Sequence, residues 1–208
     1  GFHERWVAPV CEMVRNVLVT PLDENDSVRL IGVSRDHRVD EMEFYFPLGN
    51  FSIEEVMTLL NRFSFWESAK LPAVNEHFSI DRIRGYLHGF IDLVFEGAGR
   101  YYIVDYKSNW LGADYEAYDD TAIAAAMTEH DYYLQFLLYT VAVHRYLLRR
   151  VPGYEYDRHF GGVRYLFIRG MHPHFGGLRG LYAYQPPLAL IEALERCLTG
   201  RHRSVLDA

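Results

Sequence analysis

Apolar residues recur along this chain at two distinct spacings. Trp6, Val10, Val14 and Val17 keep a helical rhythm, which predicts a helix over residues 4–18 packed through one face. Pro9 falls early in it, where a missing N–H costs least. Pro21 to Ser27 is polar and reads as a turn, and Ser27 to Gly32 predicts a short strand. RVDEMEFYFPL, residues 38–48, predicts a longer strand, with Val39, Glu41 and Glu43 on one face and Met42, Phe44 and Phe46 on the other. Ser52 with Glu55 three residues later is a capping box. It opens a helix with Val56, Leu59, Leu60 and Phe63 along one side, and residues 64–80 then read as loop.

Two strongly β-forming runs follow, Ile83 to Glu96 and Arg100 to Lys107, with Gly97-Ala98-Gly99 as a tight hairpin turn between them. Residues 115–129 read as helical. Residues 131–150 form a long helix that is apolar nearly all round, which predicts burial, and Pro152-Gly153 ends it. Val163 to Ile168 and Leu181 to Tyr184 predict strands, and Leu188 to Leu198 a last helix. This order predicts an α/β fold, a mixed central sheet flanked by helices, as a single domain over residues 1–208.

Composition narrows the function. The 208 residues suffice for one core, and 50% hydrophobic with 24% charged residues excludes a disordered chain or a coiled coil. A net charge of −7 argues against binding nucleic acid by bulk charge, but not against a metal-centred site that handles phosphates. Cys11 and Cys197 are too few for a disulfide framework or a four-cysteine metal site and fit a reducing cytoplasm. No apolar run reaches the ~18 residues of a membrane span, so no membrane partner is expected. The chain starts without Met inside a helical pattern and reads as a piece of a longer protein.

GFIDLVF (89–95) and YYIVDYKSNW (101–110) each carry an aspartate in mid-run. Burying an unpaired carboxylate costs several kcal/mol, so Asp92 and Asp105 need partners. On adjacent strands of one hairpin they can converge on an ion. Lys107 shares a face with Asp105, and Tyr106 points away. Two carboxylates suit Mg²⁺, with the Tyr106 backbone carbonyl as a further ligand. Lys107 then positions water or neutralises charge on the reacting phosphate, and Glu41 on the adjoining strand is a further carboxylate. A buried Asp–Lys pair that only anchors the sheet satisfies the same spacing.

With VDEMEFYFPL (39–48), GFIDLVF, YYIVDYKSNWLG (101–112), LQFLLYTVAVHRYL (134–147) and HFGGVRYLFIRG (159–170), the chain resembles RecB-type nuclease domains. These are the C-terminal part of exodeoxyribonuclease V beta subunits, within the PD-(D/E)XK nuclease superfamily. The resemblance implies a restriction-endonuclease-like core of order αβββαβ and metal-dependent hydrolysis of DNA in double-strand-break repair. It makes Asp92 and Asp105 the metal-binding aspartates, Lys107 the catalytic lysine and Glu41 the upstream acid. Gln135 and Tyr139 become the QxxxY pair on one helix face. It implies Mg²⁺ as cofactor, with Ca²⁺ able to occupy the site without turnover. The implied partners are single-stranded DNA through the nuclease site, the RecC and RecD subunits, and RecA. One departure stands out. The family's metal site includes a histidine on a helix upstream of the acidic strand. His3, in GFHERW, does not match that helix, so the ligand histidine is expected to lie outside this sequence, leaving the metal site incomplete and the isolated fragment weak or inactive. A rival reading is a non-catalytic interaction module of the same fold, such as a RecA-loading surface.

Other residues carry weaker signals. Trp110 follows the Asp-x-Lys strand and is a candidate for stacking on bases. Arg145, Arg149 and Arg150 end the long helix, where they complement its dipole or contact the DNA backbone. His172 and His174 read as a solvated loop, and His88, His130 and His144 as structural residues.

Overall fold

The computed structural model describes residues 3–23, 25–74 and 83–200. The part of the loop reading that falls on residues 75–80 lies outside them. A 3₁₀ turn, Glu4–Trp6, leads into helix α1 (Val7–Val19). The face the spacing assigned to packing is half exposed. Trp6, Val10 and Val14 remain 48–49% accessible, and only Val17 of that set is buried.

The expected strand over residues 27–32 does not form, and Leu30–Gly32 is a 3₁₀ turn. Asp23 explains the difference. Its carboxylate accepts the Ser27 and Val28 N–H groups at 2.8 and 2.9 Å, and Arg29 is tied to Asp26. Side chains thus take the donors a ladder would have used.

Strand β1 (Arg38–Phe51) shows the expected alternation, with Met42, Phe44 and Phe46 buried and Val39, Glu43 and Tyr45 exposed. Helix α2 (Ile53–Arg62) starts at the capping box: Ser52 Oγ accepts the Glu55 N–H, and the Glu55 carboxylate accepts the Ser52 N–H. Within the loop expected after it, helix α3 (Phe65–Ser68) buries Phe65 and Trp66. Strands β2 (Ile83–Gly97) and β3 (Arg100–Lys107) form the hairpin. Its two-residue turn has Ala98 at φ 49° and Gly99 at φ 74°. Positive φ at both positions is the turn whose twist matches the flanking strands.

After a 3₁₀ turn at Tyr115–Tyr118 come helices α4 (Asp120–Glu129), α5 (Tyr132–Arg150) and α6 (Tyr156–His159). Strands β4 (Phe160–Phe167) and β5 (Leu181–Tyr184) and helix α7 (Leu188–Leu198) complete the chain as described. The five strands lie in the order β1-β2-β3-β4-β5. Only β3 and β4 are parallel, a pairing that requires a crossover, and α4 and α5 supply it. Gly161 and Gly162 sit where the β3–β4 register slips, and a Cβ on Gly161 would strike the Tyr102 ring.

The sheet separates two apolar clusters. The larger joins Met42, Phe44, Ile91, Val94, Ile103, Tyr165 and Phe167 to α2, α4, α5 and α7. The smaller joins Leu93, Phe95, Tyr102 and Val104 to Val17, Leu22 and Leu30. In β2, Ile91 belongs to the first cluster but Leu93 and Phe95 to the second, while Val94 belongs to the first. The alternation therefore inverts at Asp92. Across the ladder, between the pairs Asp40↔Leu93 and Met42↔Ile91, Glu41 adopts φ 51°. A left-handed residue in one strand and a change of face in the other mark a kink through both.

Candidate active site

The kink places the acids. β2 pairs with β3 only from Leu93↔Val104 toward the hairpin turn. Asp92 lies just beyond that pairing, and its Oδ2 accepts the Tyr106 N–H at 2.8 Å. One carboxylate thus takes over where the ladder ends. Asp105 is 4% exposed and Lys107 9% exposed, both facing α5, while Tyr106 turns its ring to the other side and is 40% exposed. This is the arrangement that period-two alternation predicts.

Lys107 Nζ contacts Asp105 Oδ2 at 2.7 Å and donates to Gln135 Oε1 at 2.9 Å. It also sits 3.8 Å from the centre of the Tyr132 ring and 5.1 Å from that of Tyr165. Gln135 Nε2 donates to Tyr139 Oη at 2.8 Å, and Tyr139 Oη donates to the Phe90 carbonyl at 2.9 Å. Tyr165 Oη donates to Gln135 Oε1 at 3.0 Å. The chain of donors fixes the amide: its oxygen receives Lys107 and Tyr165, and its nitrogen serves Tyr139. Gln135 and Tyr139, one turn apart on α5, thereby tie the Asp-x-Lys strand to the backbone of β2 two residues before Asp92.

Burial pushes the Asp105 carboxyl above the usual carboxylate range; Lys107 pulls it back, and Asp92 adds to the rise. Burial likewise raises the phenols of Tyr139 and Tyr165, with the two aspartates contributing. With both acids ionised, the local charge is −2 + 1 = −1. Paired oxygen donors with a residual negative charge are the kind of donor set that suits a divalent cation.

Glu41 is not gathered into this set. Among the described residues no group of three or more His, Cys, Asp or Glu side chains is placed to hold a metal. Glu41 is exposed, at the left-handed residue of the β1 kink. Arg145 is also taken: it pairs with Glu195 at 3.0 Å and lies 5.0 Å from the Phe46 ring centre. Arg149 and Arg150 are exposed. Trp110 is 67% exposed beyond β3, with the Arg169 guanidinium 5.9 Å from its ring. His88 is exposed, bonded to Glu43 at 2.9 Å and stacked on Tyr45, whereas His144 is buried. Sequence reasoning missed Tyr132 and Tyr165, the aromatic walls around Lys107. Tyr132 lies three residues before Gln135 and could have been found from helical spacing. Tyr165 is placed by its parallel register with Asp105, which only the topology reveals.

An aspartate at the kink of one strand, Asp-x-Lys on the next and a Gln/Tyr helix behind them define a nuclease of the PD-(D/E)XK type. The chain belongs to the PD-(D/E)XK nuclease superfamily, whose family model matches residues 5–199. Among curated proteins it is similar to RecBCD enzyme subunit RecB of Escherichia coli, 43% identical over 204 residues, which is 96% of this chain and 16% of that protein. It is 37% identical over 193 residues to the RecB subunit of Haemophilus influenzae, covering 92% of this chain and 15% of that protein. To the RecB subunit of Mycobacterium tuberculosis it is 43% identical over 196 residues, covering 83% and 17%. The chain thus spans about one-sixth of the length of these relatives.

Proposed function

We propose that this chain is the nuclease domain of a RecB-type subunit and hydrolyses DNA phosphodiester bonds with Mg²⁺. The observation that carries this reading is the buried Asp105–Lys107 pair, locked to Gln135, with Asp92 beside it. Asp92 and Asp105, with the Tyr106 carbonyl, hold the cation. Mg²⁺ there supplies positive charge for phosphate oxygens and lowers the pKa of nearby water. Lys107 places its ammonium beside the attacking water or the developing phosphorane charge, where a preorganised donor contributes most. Gln135 and Tyr165 orient that ammonium, and Tyr139 keeps β2 at the right separation. RecC and RecD as partners accord with the RecBCD names of the relatives, while RecA as a partner, a cytoplasmic setting and exodeoxyribonuclease V activity are what the family resemblance implies; all are part of the same proposal.

The test is cleavage of a labelled single-stranded oligonucleotide in Mg²⁺. A longer chain that also carries the upstream histidine helix cuts, and its Asp105→Ala and Lys107→Ala variants do not. Equal cutting by Asp105→Ala overturns the site assignment. Ca²⁺ supports binding without turnover, and comparable rates in the two ions contradict that part.

A further inference from the structure

A groove of about 270 Å³ runs along the free edge of β1, between Met42–Phe46 and the last turns of α5. The α5 wall carries Tyr146, 42% exposed, and Arg149 and Arg150, for which no ion pair or hydrogen bond is found among the described residues. A helix dipole explains basic residues in a last turn; it does not explain why they wall a groove.

Both walls lead back to the candidate active site. Met42 pairs with Ile91, next to Asp92, and α5 carries Gln135 and Tyr139. Arg149 lies ten residues beyond Tyr139 on α5, about 15 Å at helical rise. That is roughly four nucleotides at a stacked-strand spacing of about 3.4 Å.

Resting on the nuclease reading, we infer that the β1–α5 groove is a subsite for the DNA strand several nucleotides from the reacting phosphate. Arg149 and Arg150 take backbone phosphates there, and the Tyr146 ring stacks on a base. Helix α5 carries both the Gln135/Tyr139 pair and the groove arginines, which favours this occupant over an acidic peptide added to the β1 edge.

The test measures binding of fluorescent oligothymidylates, about three to twelve nucleotides long, to the Asp105→Asn chain in Ca²⁺ at several salt concentrations. In an Arg149→Ala/Arg150→Ala background the salt slope falls by about 1.4, from two single-strand phosphate contacts at about 0.7 each. The affinity lost between 50 and 200 mM salt is then about sevenfold smaller. The deficit grows only for oligonucleotides longer than about four nucleotides, and Arg149→Lys/Arg150→Lys restores most of it. An unchanged slope, or a deficit equal at every length, overturns the subsite. So does arginine-dependent binding of poly-glutamate with arginine-indifferent binding of DNA. If the unsubstituted chain neither binds nor cuts DNA, the nuclease reading fails and the subsite with it. Cutting combined with arginine-indifferent binding sinks the subsite alone.

Discussion

The Lys107 ammonium is enclosed by a carboxylate, an amide oxygen and two aromatic rings. That enclosure suits a compact head group and leaves no room for a planar fork, so Lys107→Arg is not conservative here. Its cleavage rate is expected to fall ~10²-fold or more, as far as that of Lys107→Ala, measured in steady-state oligonucleotide digestion. Tyr139→Phe leaves the Phe90 carbonyl without its donor. It is expected to cost about 1–3 kcal/mol in urea unfolding. His144 gives a pH signature. Burial lowers its pKa, with Glu195 and Glu192 opposing, so the native chain keeps the ring neutral. The unfolded chain protonates it near its ordinary value of about 6.5. Stability is therefore full above that value and is lost as pH falls toward the native one. The urea midpoint should drop between pH 7.5 and pH 5.5, and drop less in His144→Gln. At this scale the sequence made Asp105 and Lys107 legible, because period two is local. Tyr165 was not, because its place depends on which strand lies beside β3.

Elements were legible where their signals were local. The Ser52–Glu55 box, the Gly-Ala-Gly turn, β5 and α7 all formed where the pattern put them. The expected strand over residues 27–32 failed because Asp23 diverts its backbone donors, a competition that hydrophobic alternation does not report. The α1 stripe misled in another way: helical spacing is present, but Trp6, Val10 and Val14 find no cover among the described residues. The hairpin offers a direct test. Ala98 sits at φ 49°, a conformation that disfavours residues with a Cβ by roughly 1–2 kcal/mol and that Asn tolerates. Ala98→Asn creates the Asn-Gly pair favoured in such turns and is expected to raise the thermal midpoint, by up to ~1 kcal/mol of stability. Gly161→Ala runs the other way: overpacking against Tyr102 is expected to cost about 1–3 kcal/mol.

At the scale of the whole molecule, the sheet is covered unequally, and the site lies on the side of the larger cluster, against α5. A cation held between strands that have begun to part should stiffen the entire fold. Adding Mg²⁺ or Ca²⁺ is expected to raise the unfolding free energy by about 2.7 kcal/mol at a hundred times Kd, and chelation to remove it. Asp92→Ala should abolish the shift in a thermal melt. The mixed sheet was legible from element order, whereas the αβββαβ core came from the family resemblance. The kink was not legible, because Glu41 and Asp92 sit in runs that look regular.

That kink carries a consequence for anyone who would make this protein stiffer. Straightening Glu41 and Asp92 together into extended backbone would let the two long strands, whose register is the same on either side of them, follow a single continuous pleat. It would also carry the Asp92 carboxylate away from the Tyr106 N–H that it now accepts. Regular architecture and the proposed metal site thus compete for the same stretch of backbone.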